Sequence, residues 1–100
     1  MALMFKTRFV ESALEDLELL EKFEQRHVVS MIQQHLSLQP TTPTRRRKPL
    51  RPNDLATWEL RLGALRVFYD IDQQDRIVWI KAIGRKEHNC LRIRGKDVNL

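Results

Sequence analysis

The sequence holds one cysteine, Cys90, three glycines, and no long apolar run. A lone cysteine excludes an intrachain disulfide framework and suits a reducing cytoplasm, which is the expected location. No stretch approaches the roughly 20 apolar residues that span a bilayer, so no membrane partner is expected. Residues Met1 to Phe9 interrupt their apolar side chains with Lys6 and Arg8, unlike a secretory leader. With 42% hydrophobic and 31% charged residues and so little glycine, the chain is neither a collagen, a flexible linker nor a low-complexity disordered segment. At 100 residues a single domain, 1–100, is expected.

What is present is positive charge, unevenly placed. The net charge is +5. Residues 1–43 carry four basic and six acidic side chains, whereas residues 44–100 carry fourteen and seven. An acidic front and a cationic rear direct an anionic ligand to the rear.

Leu3 to Val10 is short, apolar-rich and free of Gly and Pro, which predicts a strand. Ser12 stands three residues before Glu15, a capping-box spacing that predicts the start of a helix. Leu14, Leu17 and Leu20 are its expected apolar side; Glu11, Glu15, Glu18 and Glu21 face water. A second helix is expected over roughly Phe23 to Leu38, with Phe23, Val28, Met31, Ile32 and Leu36 as its stripe. Pro40, Pro43, Pro49 and Pro52 then forbid both helix interior and central strand. They predict a stiff extended connector from which Arg45, Arg46, Arg47, Lys48 and Arg51 project, with no acid before Asp54.

Beyond it the period becomes two. Trp58, Leu60 and Leu62 face one way, and Glu59 and Arg61 the other. Leu65 to Ile71 and Ile77 to Ile83 are further strands, joined by the polar loop Asp72 to Asp75, and Leu91 to Arg94 is a short last one. Gly63, Gly84 and Gly95 stand at strand ends, where a turn or bulge needs positive φ. The order β-α-α-β-β-β(-β) predicts an α+β fold: a curved, mainly antiparallel sheet covered on one face by two N-terminal helices.

This order resembles the RelE/ParE superfamily of toxins from bacterial type II toxin–antitoxin modules. The resemblance is carried by Trp58-Glu59-Leu60-Arg61-Leu62-Gly63, by Arg66-Val67-Phe68-Tyr69-Asp70-Ile71-Asp72, and by Ile83-Gly84-Arg85-Lys86. Ser12 to Leu17 is similar to the family's first-helix opening. The resemblance implies a RelE-like fold and a toxin held inactive by a cognate antitoxin. RelE-type members cut mRNA on the ribosome without metal, driving the ribose 2′-hydroxyl onto the adjacent phosphate. The alternative is a ParE-type member, which inhibits DNA gyrase and is not a nuclease, or an inactive RNA- or partner-binding form. No cofactor is implied.

Metal-free cleavage needs a proton acceptor, cations for the phosphorane, and a proton donor. On the RelE reading the resemblance implies Arg61, Arg66 and Lys86 as catalytic residues for charge; His88, two residues past Lys86 and with a reference pKa near 6.5, is the hypothesised catalytic group for the proton. Glu59 falls where the family has a lysine, and no tyrosine follows Tyr69, although the family's tyrosine position lies near Arg92. Arg45, Arg46, Arg47, Lys48, Arg51, Arg85 and Arg92 are the expected RNA contacts. Against these stand plainer readings: a solvated basic loop, and pairing of Arg61 and Arg66 with Glu59, Asp70 or Asp72. Trp58 is expected in the core, and either Phe68 or Tyr69 on the groove side. His27 and His35 are expected on the helix surface. Cys90 is expected to be buried or half-buried, and with His88 it makes a poor zinc set.

Overall fold

A computed structural model describes residues 4–100, so Leu3 of the expected first strand lies outside the described residues. The elements are β1 (Lys6–Phe9), α1 (Glu11–Glu18), α2 (Lys22–Leu36), β2 (Arg47–Pro49), β3 (Trp58–Leu62), β4 (Leu65–Asp72), β5 (Ile77–Glu87), β6 (Cys90–Ile93) and β7 (Lys96–Val98). The strands form one sheet in the order β2-β3-β4-β5-β6-β7, with β1 parallel to the first part of β5 and every other pairing antiparallel. This is the α+β, RelE-like architecture that the element order implies.

The helices begin differently from expectation. Val10 follows β1 as the N-cap of α1, its N–H on the Ile80 carbonyl, and α1 starts directly at Glu11 with no side-chain cap, leaving Ser12 inside the first turn. The capping box instead opens α2, where Glu21 and Glu24 exchange side chain-to-backbone bonds. Ala13 and Asp16 are the buried residues of α1, while Leu14 is exposed; in α2, Val28, Ile32 and Leu36 are buried and Phe23 is exposed.

Period-two alternation sorts the sheet into two faces. Leu60, Leu62, Leu65, Val67, Tyr69, Val78 and Ile80 form the main core with the helices, and Trp58 packs against it, its ring stacked on Tyr69 at 6.2 Å. A second, smaller core lies on the opposite face. There Phe68, Ala82, Ala56 and Ile93 meet Leu50, Leu55, Leu91, Val98 and Leu100. Phe68 is thus the groove-side aromatic, and a register shift between Phe68 and Tyr69 keeps both pairs in phase with β5.

Strand β5 does not close at Gly84 but runs on to Glu87. Gly84 has no positive φ; its lack of a side chain admits β6, because a Cβ there would lie 2.8 Å from both the Arg92 carbonyl oxygen and Ile93 Cγ1. Gly63 and Gly95, at φ 61° and 75°, do serve turns.

The connector is pinned as well as stiff. The buried Tyr69 hydroxyl donates to the Pro40 carbonyl at 2.7 Å. Asn53 bonds the backbone of Arg51, Leu55 and Ala56. Pro49 closes the edge strand β2, where a missing N–H is tolerated.

Candidate functional site

Glu59 and Arg61 leave β3 on the face away from the helices, and Lys48, the partner of Glu59 across β2, joins them there. Lys86 reaches the same face from the far end of β5, its N–H fixed on the Ala64 carbonyl at 2.7 Å. Lys48, Arg51, Glu59, Arg61 and Lys86 line one hollow of about 300 Å³, whose remaining wall includes Asn89, Leu91, Val98, Asn99 and Leu100. A second hollow adjoins it, lined by Arg45, Arg46, Arg61, Gly63 and Arg66, so Arg61 borders both.

One carboxylate sits between the guanidinium groups. Arg61 Nε donates to Glu59 Oε2 at 2.9 Å, and Arg66 Nε lies 3.8 Å from Glu59 Oε1. The second contact is an ion pair but not a hydrogen bond. Arg66 Nε is accordingly a buried donor with no hydrogen-bond partner among the described residues. The Arg66 side chain is only 14% exposed, and its Nη1 donates to the carbonyls of Gly63 and Leu65. Asp70 and Asp72 take no part in this cluster: Asp70 accepts from the Thr57 backbone and hydroxyl, and Asp72 from the Asp75 N–H. Of the three acids weighed as partners for Arg61 and Arg66, the structure pairs them with Glu59.

Other basic residues fall elsewhere. Arg85 and Arg92 are cross-strand partners of opposite parity to Lys86, so they lie on the helix side of the sheet. There Arg85 pairs with Glu24 at 2.7 Å and Arg92 with Asp97 at 3.0 Å. Arg47 does not project either. It turns inward, donating through Nε to the Thr42 carbonyl at 2.9 Å and through Nη1 to the His35 carbonyl. Arg45, Arg46, Lys48 and Arg51 remain exposed.

His88 occupies the β5–β6 turn with φ 52°, and it is Asn89, not His88, that lines the hollow. Cys90 is exposed, because it faces outward at the start of β6. Among the described residues no three His, Cys, Asp or Glu side chains are gathered in a way that would hold a metal ion. Among the described residues no helix is long and apolar enough to cross a membrane. Tyr69 is far from phenolate chemistry at neutral pH, because burial pushes its hydroxyl well above its ordinary value.

His35 is half-buried rather than a free surface residue, and its Nε2 has no hydrogen-bond partner among the described residues. Burial, then the charges of Arg46 and Arg47, hold its pKa below 6.5. A group whose folded pKa is depressed binds its proton more readily when unfolded, so stability falls as pH drops below about 6.5. The urea midpoint is expected to decline between pH 8 and pH 5.5, and His35→Gln is expected to flatten that decline. A decline unchanged in the variant would assign it to other groups.

Sequence reasoning missed the contribution of the β6–β7 hairpin, which supplies Leu91 and Val98 to the hollow. Their alternation with Arg92 and Asp97 was the available signal. It also missed Asp16, a buried acid on α1 whose side chain accepts from the Ile83 N–H and from Arg94.

The architecture and the residues along it have counterparts. The family described as "ParE toxin of type II toxin-antitoxin system, parDE" matches residues 7–89. Among solved structures, a chain in the crystal structure of the toxin–antitoxin complex RelBE2 from Mycobacterium tuberculosis is similar, with 30% identity and a TM-score of 0.73. The superposition covers 84% of this chain and 93% of that one. No curated protein matches the sequence. With the family pattern running from β1 to the β5–β6 turn and the same fold in a relative, the chain belongs to the RelE/ParE superfamily of toxins from type II toxin–antitoxin modules.

Proposed function

We propose that this toxin acts by binding a target rather than by cutting RNA, as a ParE-type inhibitor of DNA gyrase. The observation that carries the reading is the Glu59 carboxylate between Arg61 and Arg66. In a metal-free nuclease these cations must meet the charge that develops on the phosphorane. Here a resident anion already engages one of them, and the other spends its Nη1 on carbonyl oxygens. The group considered for proton transfer is also displaced: His88 stands on the β5–β6 turn, and Asn89 rather than His88 lines the hollow. The family match to ParE toxins supports the same branch.

On this reading the exposed cations Arg45, Arg46, Lys48, Arg51 and Lys86 form a docking surface, and a cognate antitoxin neutralises the toxin. Purified gyrase titrated with the toxin should lose supercoiling activity or accumulate cleaved DNA. Expression of the toxin should leave mRNA 5′ ends unchanged in primer extension. New codon-spaced mRNA ends with gyrase unaffected would overturn the proposal.

A second reading keeps one specific observation on its side. Arg61 and Lys86 do line one hollow together with Lys48 and Arg51, as a ribosome-dependent mRNA nuclease would need. In that case Arg61, Arg66 and Lys86 would stabilise the phosphorane, and His88→Ala would slow the cutting.

A further inference from the structure

We propose that Glu59 is the resident counter-anion of the cationic hollow, a specificity-determining residue that must release Arg61 before a phosphodiester backbone can bind there. This goes beyond the toxin's target, since it concerns what the hollow accepts and at what threshold.

Glu59 has Lys48 across the β2–β3 pair, Arg61 two residues along its own strand, and Arg66 diagonally across on β4. All of them lie on one sheet face; Lys48, Glu59, Arg61 and Lys86 line the first hollow, and Arg66 lines the second with Arg61. Two guanidinium groups therefore flank one carboxylate that is only 12% exposed, and Lys48 and Lys86 line the hollow beside it. Each carboxylate oxygen addresses a different guanidinium, the position that two oxygens of a phosphate would take.

The Arg61 side chain is 43% exposed, so it can swing from Glu59 towards solvent, whereas Arg66 is anchored on the Gly63 and Leu65 carbonyls. Because Arg61 borders both hollows, a ligand that draws it off Glu59 meets Lys48, Arg51 and Lys86 on one side and Arg45 and Arg46 on the other. A chain of successive phosphates can engage both sides at once. A single small anion gains only one side and competes with a carboxylate already in place. Among the described residues no aromatic side chain lines either hollow, so phosphate charge rather than base stacking carries the contact.

The test is fluorescence anisotropy of the full chain with a labelled oligouridylate of about a dozen nucleotides, over ~50–200 mM salt. Glu59→Gln should bind about tenfold more tightly at low salt. Its log–log salt slope should steepen by about 0.7, the value of one added phosphate contact on a single strand. Arg61→Gln should weaken binding, and should cost more in the Glu59→Gln background than alone. If Glu59→Gln does not fold, Glu59→Asp draws the carboxylate back from Arg61 and should still raise affinity, by about threefold. A folded Glu59 variant that binds no more tightly than wild type, with an unchanged slope, would overturn the proposal. Because the readout is oligonucleotide affinity, it stands or falls apart from the gyrase titration.

Discussion

Asp16→Ala is expected to lower stability by about 3 kcal/mol and the melting midpoint by roughly 15 °C. The Asp16 side chain is 2% exposed and accepts three hydrogen bonds. Its Oδ2 takes the Ile83 N–H at 3.0 Å, and Arg94 Nη1 reaches both oxygens at 2.9 and 2.8 Å. The need for it follows from the sheet. One edge of β5 pairs with β1 over Ile77–Ile80 and with β6 over Arg85–Glu87, so on that edge the stretch between has no strand partner among the described residues. Asp16 supplies the acceptor that a strand would have provided. Alanine leaves a buried donor unmet, at about 1–3 kcal/mol, and removes the counter-charge of Arg94. Arg94 is 39% exposed and water can take it up, so that second loss is smaller than for a fully buried pair. Asp16→Asn, which keeps an acceptor but not the charge, should lose about half as much. An alanine variant melting within a few degrees of wild type would refute the account.

Why Asp16 was hidden while other core residues were legible is a matter of range. Alternation along Trp58–Leu62 and Leu65–Asp72 is local, and it sorted Leu60 and Leu62 from Glu59 and Arg61 correctly. It also required Phe68 and Tyr69 to part company, though not which went where. Asp16 sits one helical turn after Ala13, on the buried side of α1, but its partner Arg94 is 78 residues away. Nothing near Asp16 in the chain distinguishes it from the wet glutamates around it.

The helix starts show a different limit. The capping-box spacing at Ser12–Glu15 was present, but β1 delivers the chain straight into a helical turn at Glu11. The working box uses Glu21 as N-cap, a residue type that sequence signatures rank low for that position.

Among the site residues, parity was the lesson. Reading Gly84 as the end of a strand concealed that Arg85 and Lys86 sit on opposite faces of one that continues. Arg85 therefore binds Glu24 of α2, and that salt bridge holds the Glu24 carboxyl below its ordinary pKa. Lys86 alone faces the hollow. Similarly, Arg47 was indistinguishable from Arg45 and Arg46 in a basic run, yet its β2 register turns it toward the helix side and the His35 carbonyl.

Gly84→Ala is expected to cost about 1–3 kcal/mol and to loosen residues 90–98. Any Cβ at this position would stand 2.8 Å from the Arg92 carbonyl oxygen, 2.8 Å from Ile93 Cγ1 and 3.2 Å from Leu91 Cδ1. Backbone oxygen cannot rotate aside as a side-chain tip can, so β6 itself must move. Strand β6 carries Ile93 into the second core and Leu91 into the wall of the hollow, so its displacement reaches both. Hydrogen exchange should accelerate across β6 and β7 before it does in β3 and β4, whose side chains belong to the main core. Gly84→Val should exceed alanine in both respects. Asp16 holds the same hairpin from the other side through Arg94, next to the turn residue Gly95, so the two sites share an element. Once either change has freed the hairpin, the second has less left to disrupt, and the combined loss should fall short of the two measured separately. Full additivity would mean that the hairpin is held at two independent points, and uniform exchange rates in all strands would mean that it is not a separate unit at all.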